Sequence, residues 1–162
     1  MLDKLIDEFC DVIFGLINYY LSKNLNPNLE VSDIKELSPD CLDDLITNGI
    51  KGLVIDLDET LRFDKKDIPK VNAEWLQMAQ SKLKIIILSN GYSASIEEYL
   101  KKIGIDYIGF ACKPLKPSFK KAIKTLGLTP DEIFMIGDDY FSDIYGCSRN
   151  KLKTILINNK LK

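Results

Sequence analysis

The amino-acid sequence predicts an α/β fold, a doubly wound parallel sheet of about five strands with helices on both faces. Two observations predict this class. Short runs of apolar, largely β-branched residues alternate along the chain with segments of helical periodicity. These runs are almost wholly apolar, as expected of strands buried on both faces of a parallel sheet. Strands that alternate with helices imply right-handed crossovers and therefore a three-layer arrangement.

Residues 1–23 show helical spacing, and a turn at 24–28 that contains Pro27 follows them. Apolar side chains recur every three or four positions, with acidic residues opposite them. The fully apolar part is too short to span a bilayer, which needs roughly 20 residues. Three interpretations stay open: the helix packs on its own domain, forms a dimer contact, or lies on a membrane surface. We therefore treat residues 1–28 as separate from a domain over residues 29–162.

A helix is predicted from Pro39 to about Asn48, because Ser38 can cap its start and Gly49 can end it. The central strand, over residues 52–55, follows at once. The later elements are predicted in this order: a loop over 62–71, a helix over 72–82, a strand over 84–88, a helix over 95–103, a strand over 107–111, a helix over 117–126, a strand over 132–136, a short helix to about 146 and a strand over 153–157.

The composition excludes several kinds of chemistry. The 162 residues suffice for one domain with a sizeable core, and a net charge of −2 gives no case for nucleic acid binding. The chain has no histidine, which excludes Ser-His-Asp and Cys-His hydrolases, histidine-ligated zinc and histidine bases. Its four cysteines are scattered without a CxxC pair, which indicates the reducing cytoplasm rather than a disulfide framework.

Acidic residues follow the central strand directly. Asp56 and Asp58 come first, and Thr60 lies two residues further on. At the carboxyl end of a parallel strand, such carboxylates face the crevice where open α/β sheets bind ligands. One of them could act as a nucleophile and the other as a proton donor. The competing interpretation is a strand followed by an acidic turn.

The next two strands also end in polar groups. Ser89 and Asn90 offer a hydroxyl and an amide, which suit a phosphate oxygen, although the pair also fits a plain turn. Lys113 follows the third strand and could neutralise a bound phosphate, with Lys116 as its rival. Both lysines would be solvated if the site did not exist.

Asp138 and Asp143 follow the fourth strand, five residues apart. Together with Asp56 they would place three carboxylates in one crevice. Such crowding is costly unless a divalent cation lies among them, and an all-oxygen site that keeps waters favours magnesium.

The spacing of these motifs leaves no room for a further domain inserted between them. Residues 61–88 separate Thr60 from Ser89, and residues 90–112 separate Ser89 from Lys113. A further domain needs upwards of roughly 50 residues. Unless the loop over 62–71 or a partner subunit shields it, we therefore expect an open site suited to a bulky substrate.

In this order the motifs resemble those of the haloacid dehalogenase-like phosphatases. The specific one is DxDxT after a hydrophobic strand, here Asp56-Leu57-Asp58-Glu59-Thr60; Ser89-Asn90, Lys113 and Gly137-Asp138 to Asp143 complete the set. The resemblance covers about residues 30–158. The phrases ITNGIKGLVIDLDETL, KPLKPSF and GDDYFSDIYGCSRNKLKTILI resemble the bacterial YqeG-type, subclass IIIA branch, whose relatives in fungal mitochondria hydrolyse phosphatidylglycerophosphate.

Glu59 departs from that branch, which usually has asparagine there. The glutamate also occurs in capless phosphoprotein phosphatases of the superfamily. The substrate therefore stays open between a phosphorylated lipid, protein and metabolite.

The resemblance implies a Rossmann-like fold without a cap domain and an aspartyl-phosphate mechanism. Asp56 would attack phosphorus. Asp58 would protonate the leaving oxygen and then deprotonate the attacking water, while its backbone carbonyl binds magnesium. Thr60 would steady this loop. Ser89 and Lys113 would hold the phosphoryl oxygens.

The resemblance also implies that Asp138 ligates the metal, with Asp143 reaching it directly or through water. We expect a magnesium-dependent phosphomonoesterase of the cytoplasm, with possible peripheral membrane contact or dimerisation through residues 1–23. The alternatives are a membrane-associated lipid phosphatase anchored by the amino-terminal helix, and a phosphate-binding or scaffold protein without turnover.

Overall fold

The computed structural model describes residues 12–17, 19–21 and 23–159 of the chain. In this part, six strands form one sheet in the order β1-β6-β5-β2-β3-β4, and every neighbouring pair is parallel. The predicted doubly wound α/β fold is confirmed. The strands are β1 (Leu29–Val31), β2 (Gly52–Ile55), β3 (Lys84–Leu88), β4 (Asp106–Ile108), β5 (Ile133–Gly137) and β6 (Lys153–Ile157).

Helices connect the strands at positions close to those predicted. The helix predicted from residue 72 begins at Lys70, inside the segment predicted to be a loop. The helices are α1 (Pro39–Thr47), α2 (Lys70–Gln80), α3 (Ala94–Lys102), α4 (Lys116–Leu126) and α5 (Gly146–Ser148), with 3-10 turns at Ile34–Glu36 and Pro130–Glu132 and a π-helical turn at Tyr140–Tyr145.

The central strand β2 is buried on both faces of the sheet. Leu53 and Ile55 point into one apolar core, which also contains Trp75 of α2. Val54 points into the core on the other face, which contains Phe119 of α4. Burial on both faces explains why this strand is apolar at every position.

Strand β1 was not predicted from the sequence. It is three residues long, lies at one edge of the sheet and pairs with β6. Leu29 and Glu30 are exposed, and Val31 alone is buried. An edge strand this short carries too little apolar pattern to be recognised.

The amino-terminal segment is helical at residues 12–17, 19–21 and 23–24. The exposed fraction is 60% for Val12 and Leu16, and 69% for Tyr20. The ring of Phe14 contacts that of Phe141, with centroids 5.6 Å apart. No helix in the described ranges has the length and apolarity needed to cross a membrane. Residues 1–11 of this predicted helix lie outside the described residues.

Candidate active site

The candidate site lies at the carboxyl ends of β2, β3 and β5. The chain leaves β2 toward β3 and leaves the neighbouring β5 toward β6, in the opposite direction, so the strand order reverses between β2 and β5. Asp56 follows β2, Ser89 follows β3 and Asp138 follows β5. The backbone N–H of Asp56 donates to the carbonyl of Ile136 on β5 at 2.8 Å, which extends the pairing to the nucleophile candidate. Three predicted site residues thus share the edge where open α/β sheets bind ligands.

The ammonium of Lys113 joins two of the carboxylates. It donates hydrogen bonds to Oδ1 of Asp56 and, at 2.6 Å, to Oδ1 of Asp143. Only 1% of the Lys113 side chain is exposed. Lys116, the rival in the sequence, is exposed at the first residue of α4. The structure therefore brings Lys113, and not Lys116, to the aspartates.

Asp56, Asp138 and Asp143 offer one carboxylate oxygen each within 4.8 Å of one another. Hard divalent cations such as Mg²⁺ prefer oxygen ligands, so this donor set fits the implied metal. The backbone N–H of Asp139 donates to Oδ2 of Asp143 at 3.2 Å, and its side chain caps the turn that carries Asp143. At Gly137, a Cβ would lie 2.3 Å from Oδ2 of Asp143, so this position must be glycine.

The electrostatics of this group favour a cation. Burial raises the pKa of Asp56 to about 8; the charge of Asp143 adds to the rise, and Lys113 opposes it. Burial and the neighbouring Asp143 and Asp139 raise the pKa of Asp138 to about 7. Burial would lower the pKa of Lys113, but Asp143 and Asp56 outweigh it and hold that pKa above its usual range. When all three carboxyl groups are ionised, they carry three negative charges against one ammonium, and a divalent cation would neutralise the excess.

Asp58 is held by Arg62, a residue that was not predicted from the sequence to belong to the site. Nε of Arg62 donates to Oδ1 of Asp58 at 2.8 Å, and the Arg62 side chain is buried. A Cβ placed on Gly91 would lie 3.4 Å from Oδ2 of Asp58, so this second oxygen faces the loop after β3. The only sequence signal for Arg62 is its four-residue spacing from Asp58. That spacing brings two side chains together only if the intervening residues form a turn.

Ser89 and Asn90 lie beside the Lys113 loop. Ser89 is buried, and its Oγ accepts from the backbone N–H of Gly91 at 3.2 Å. Oδ1 of Asn90 accepts from the backbone N–H of Lys113 at 2.6 Å, and Nδ2 donates to the Lys113 carbonyl at 3.3 Å. Both polar atoms of the Asn90 side chain are therefore engaged by the loop that carries Lys113.

Thr60 and Glu59 complete the loop after β2. Thr60 is buried, and in the described part of the chain its Oγ1 has no hydrogen-bond partner. Glu59 adopts a φ of 59°, and its Oε1 accepts from the backbone N–H of Asp64 at 3.3 Å. Its carbonyl accepts from Nδ2 of Asn159 at 3.0 Å. The Glu59 side chain thus contacts the following loop in this structure.

The sequence is similar to known hydrolases. The family model of the haloacid dehalogenase-like hydrolases matches residues 59–149. The protein named "Probable phosphatase YqeG" from Bacillus subtilis is 30% identical over 139 residues, which cover 85% of this chain and 79% of that protein. A glyceraldehyde 3-phosphate phosphatase from Pyrococcus furiosus is 33% identical over 60 residues, 37% of this chain and 25% of its own length.

The fold is also similar to a solved structure. A haloacid dehalogenase family enzyme from Bacteroides thetaiotaomicron, in complex with magnesium and inorganic phosphate, superposes with a TM-score of 0.55 at 16% identity. The match covers 67% of this chain and 94% of that one. At this identity the likeness shows the fold alone.

Proposed function

The chain belongs to the haloacid dehalogenase-like hydrolases, and we propose that it is a magnesium-dependent phosphomonoesterase that forms an aspartyl-phosphate on Asp56. It is a hydrolase that acts on phosphoric monoesters, as its matched relatives are. One observation carries the proposed mechanism. Lys113 bridges Asp56 and Asp143 in a buried cluster at the sheet edge where ligands bind.

We assign the role of nucleophile to Asp56. Lys113 holds its Oδ1, and in the described part of the chain no hydrogen bond reaches its Oδ2. Oδ2 is therefore the oxygen available to attack phosphorus. The attack forms the aspartyl-phosphate and expels the alcohol oxygen of the substrate.

We assign the role of acid and base to Asp58. Arg62 occupies its Oδ1, which leaves Oδ2 beside Gly91 to face the substrate. Oδ2 would give a proton to the leaving oxygen. It would then take a proton from the water that cleaves the aspartyl-phosphate, which restores both carboxyl groups.

Ser89 and Lys113 would bind the phosphoryl oxygens. A hydroxyl and an ammonium that are already buried and oriented stabilise the charge of the transition state without reorganisation. Asn90 would contribute by fixing the backbone of Lys113 through its two hydrogen bonds. The resemblance gives Thr60 the role of holding the nucleophile loop, but in the described part of the chain its Oγ1 makes no hydrogen bond that would do so.

Asp56, Asp138 and Asp143, with the backbone carbonyl of Asp58, would hold magnesium. The oxygen-only donors and the raised pKa values of Asp56 and Asp138 support this assignment. When bound, the metal would neutralise charge on the phosphate and on the carboxylates around it.

We propose that the substrate is a large molecule whose phosphate group projects into the crevice. Between Thr60 and Ser89 the chain contains one loop, α2 and β3, and between Ser89 and Lys113 it contains α3 and β4, so neither segment holds an inserted domain. An open crevice contacts a small substrate on few sides but admits a phosphate that projects from a larger molecule. The relative that acts on glyceraldehyde 3-phosphate is matched over only 25% of its own length. The unmatched rest of that protein can therefore give its site surroundings that this chain does not have.

Release of phosphate from a chromogenic ester, p-nitrophenyl phosphate, tests the enzymatic proposal. We expect turnover with magnesium by the purified chain. The alternative, a phosphate-binding protein without turnover, predicts binding of inorganic phosphate with no release from any ester in a panel of lipid, sugar, nucleotide and peptide phosphates.

A further inference from the structure

Two exposed aromatic rings lie on the loops that follow β3 and β4. Tyr92 is 46% exposed and Phe110 is 72% exposed. Their ring centroids are 5.3 Å apart at an interplanar angle of 17°, so the rings are stacked. Tyr107 also stacks on Tyr92, with centroids 6.2 Å apart. We name Tyr92 and Phe110 the aromatic shelf.

The aromatic shelf belongs to the two loops that carry Ser89 and Lys113. The backbone N–H of Phe110 donates to the carbonyl of Gly91 at 3.2 Å. Gly91 in turn lies next to Oδ2 of Asp58, the proposed proton donor. A leaving oxygen protonated by Oδ2 of Asp58 would therefore lie beside Gly91, which has no side chain to block it, and Tyr92 is the next residue.

The positions of both rings are set by the backbone. At Gly109, a Cβ would lie 2.9 Å from Cδ2 of Tyr92, so the tyrosine ring packs directly on a glycine. Phe110 has a φ of 49°, in the left-handed region that residues other than glycine rarely adopt. A ring that is mostly exposed adds little to folding stability. Its placement on an uncommon backbone conformation therefore points to contact with a ligand.

The aromatic shelf offers ring faces rather than hydrogen-bonding groups. The hydroxyl of Tyr92 donates to Oε2 of Glu97 at 2.7 Å, and that of Tyr107 donates to the Gly91 carbonyl at 3.3 Å. Since these hydroxyls already donate to protein groups, neither is free to donate to a hydroxyl of a sugar or a glycerol. Parallel rings instead favour a further flat ring stacked on them.

We propose that the aromatic shelf binds a flat ring in the leaving group, so that the enzyme prefers phosphate monoesters of alcohols carrying an aromatic or heteroaromatic ring. This proposal rests on the proposed function, because it places the leaving group beside Asp58. It names Tyr92 and Phe110 as residues that determine specificity.

Two matched esters test the preference. 2-Phenylethyl phosphate and 2-cyclohexylethyl phosphate have similar size and similar alcohols, and they differ in whether the ring is flat. We expect kcat/KM to favour the phenyl ester by roughly three- to tenfold, the discrimination that one aromatic contact supplies. A ratio near one, or a preference for the cyclohexyl ester or for octyl phosphate, would overturn the proposal.

Variants separate the shelf from the rest of the site. Phe110→Leu keeps an apolar side chain without a π face, and we expect the ratio to fall to near one. Phe110→Tyr restores a ring and is expected to retain the preference. Ile46→Ala on α1 removes another exposed apolar side chain, 37% exposed, and is the control that is expected to leave the ratio unchanged. Equal ratios in Phe110→Leu and the unaltered enzyme would contradict a role for the shelf.

Binding measurements keep this test independent of turnover. 3-Phenylpropylphosphonate and 3-cyclohexylpropylphosphonate are the non-hydrolysable counterparts, and calorimetry measures their affinity. Tighter binding of the phenyl compound supports the shelf even if p-nitrophenyl phosphate is not hydrolysed, an outcome that would overturn the proposed function alone. Equal binding together with normal hydrolysis would overturn the shelf alone.

Discussion

Nζ of Lys113 donates a hydrogen bond of 2.6 Å to Oδ1 of Asp143, and both side chains are 1% exposed. The same ammonium also binds Asp56. Burying one positive charge among carboxylates is tolerated only while the partners remain. Both the activity and the stability of the protein should therefore depend on this cluster.

The first prediction concerns Asp56. Asp56→Asn changes the carboxylate to an amide of nearly the same shape, so we expect hydrolysis of p-nitrophenyl phosphate to be abolished and the fold to be retained. Asp64→Asn, at an exposed carboxylate, is the control that keeps full activity. If a verified pure Asp56→Asn sample turned over substrate at the rate of the unaltered enzyme, the covalent mechanism would be excluded.

The second prediction concerns Lys113. We expect Lys113→Met to lower kcat by roughly 10² or more, as loss of a preorganised electrostatic contact does. It also leaves two buried carboxylates without a counter-charge, which costs up to about 3–5 kcal/mol of unfolding free energy. Lys116→Met is the matched control and is expected to change neither quantity. Urea unfolding measures the free energy of unfolding, and steady-state kinetics measures kcat.

A double variant separates the electrostatic explanation from simple loss of packing. If charge is the cause, Asp56→Asn combined with Lys113→Met recovers part of the stability that Lys113→Met alone loses. Strictly additive losses would argue for packing instead.

The third prediction concerns the metal. We expect chelation to abolish activity, magnesium to restore it and calcium to inhibit, because the larger and looser coordination shell of calcium would not hold nucleophile and phosphate in line. Asp138→Asn and Asp143→Asn are expected to lose the thermal stabilisation that magnesium confers on the unaltered protein. Full activity in excess chelator would exclude the metal.

The fourth prediction is a dependence of stability on pH. The pKa values of Asp56, about 8, and Asp138, about 7, lie above the ordinary aspartate value of about 3.9. Between these values the folded state binds more protons than the unfolded state, so unfolding free energy falls as pH rises. We expect the melting temperature of the metal-free protein to fall between pH 5 and pH 8, by roughly 2–4 °C for each kcal/mol.

Two comparisons check the origin of this pH effect. Asp138→Asn removes one of the titrating groups and should reduce the slope. Magnesium should reduce it further, because the bound cation favours the ionised carboxylates. A slope that neither change alters would assign the effect to other groups.

The fifth prediction concerns substrate size. Since the segment between Thr60 and Ser89 holds no inserted domain, we expect small sugar phosphates to react much less efficiently than a bulky substrate. Steady-state kinetics across the ester panel tests this. A sugar phosphate with kcat/KM near roughly 10⁶ M⁻¹s⁻¹, well inside the range of efficient enzymes, would contradict it.

The sequence by itself determined the fold class and the order of the motifs. Strand β2 is buried on both faces and apolar at every position, and β3 is so after its exposed first residue, Lys84, a pattern that is local and visible in one dimension. The carboxyl ends of parallel strands share one sheet edge, so the sequence also indicated that Asp56, Ser89 and Asp138 would meet. The lack of histidine excluded histidine-dependent chemistry, because composition alone decides which functional groups a chain can offer.

The tertiary structure decided which side chains make contact. Whether Lys113 or Lys116 reaches Asp56 depends on the path of a loop after β4. The pairing of Arg62 with Asp58 depends on a turn, and the stacking of Phe110 on Tyr92 joins two loops far apart in the chain. Such contacts leave no periodic pattern of residues in the sequence, because they arise from sheet register and loop conformation. Both are determined only when the whole domain packs.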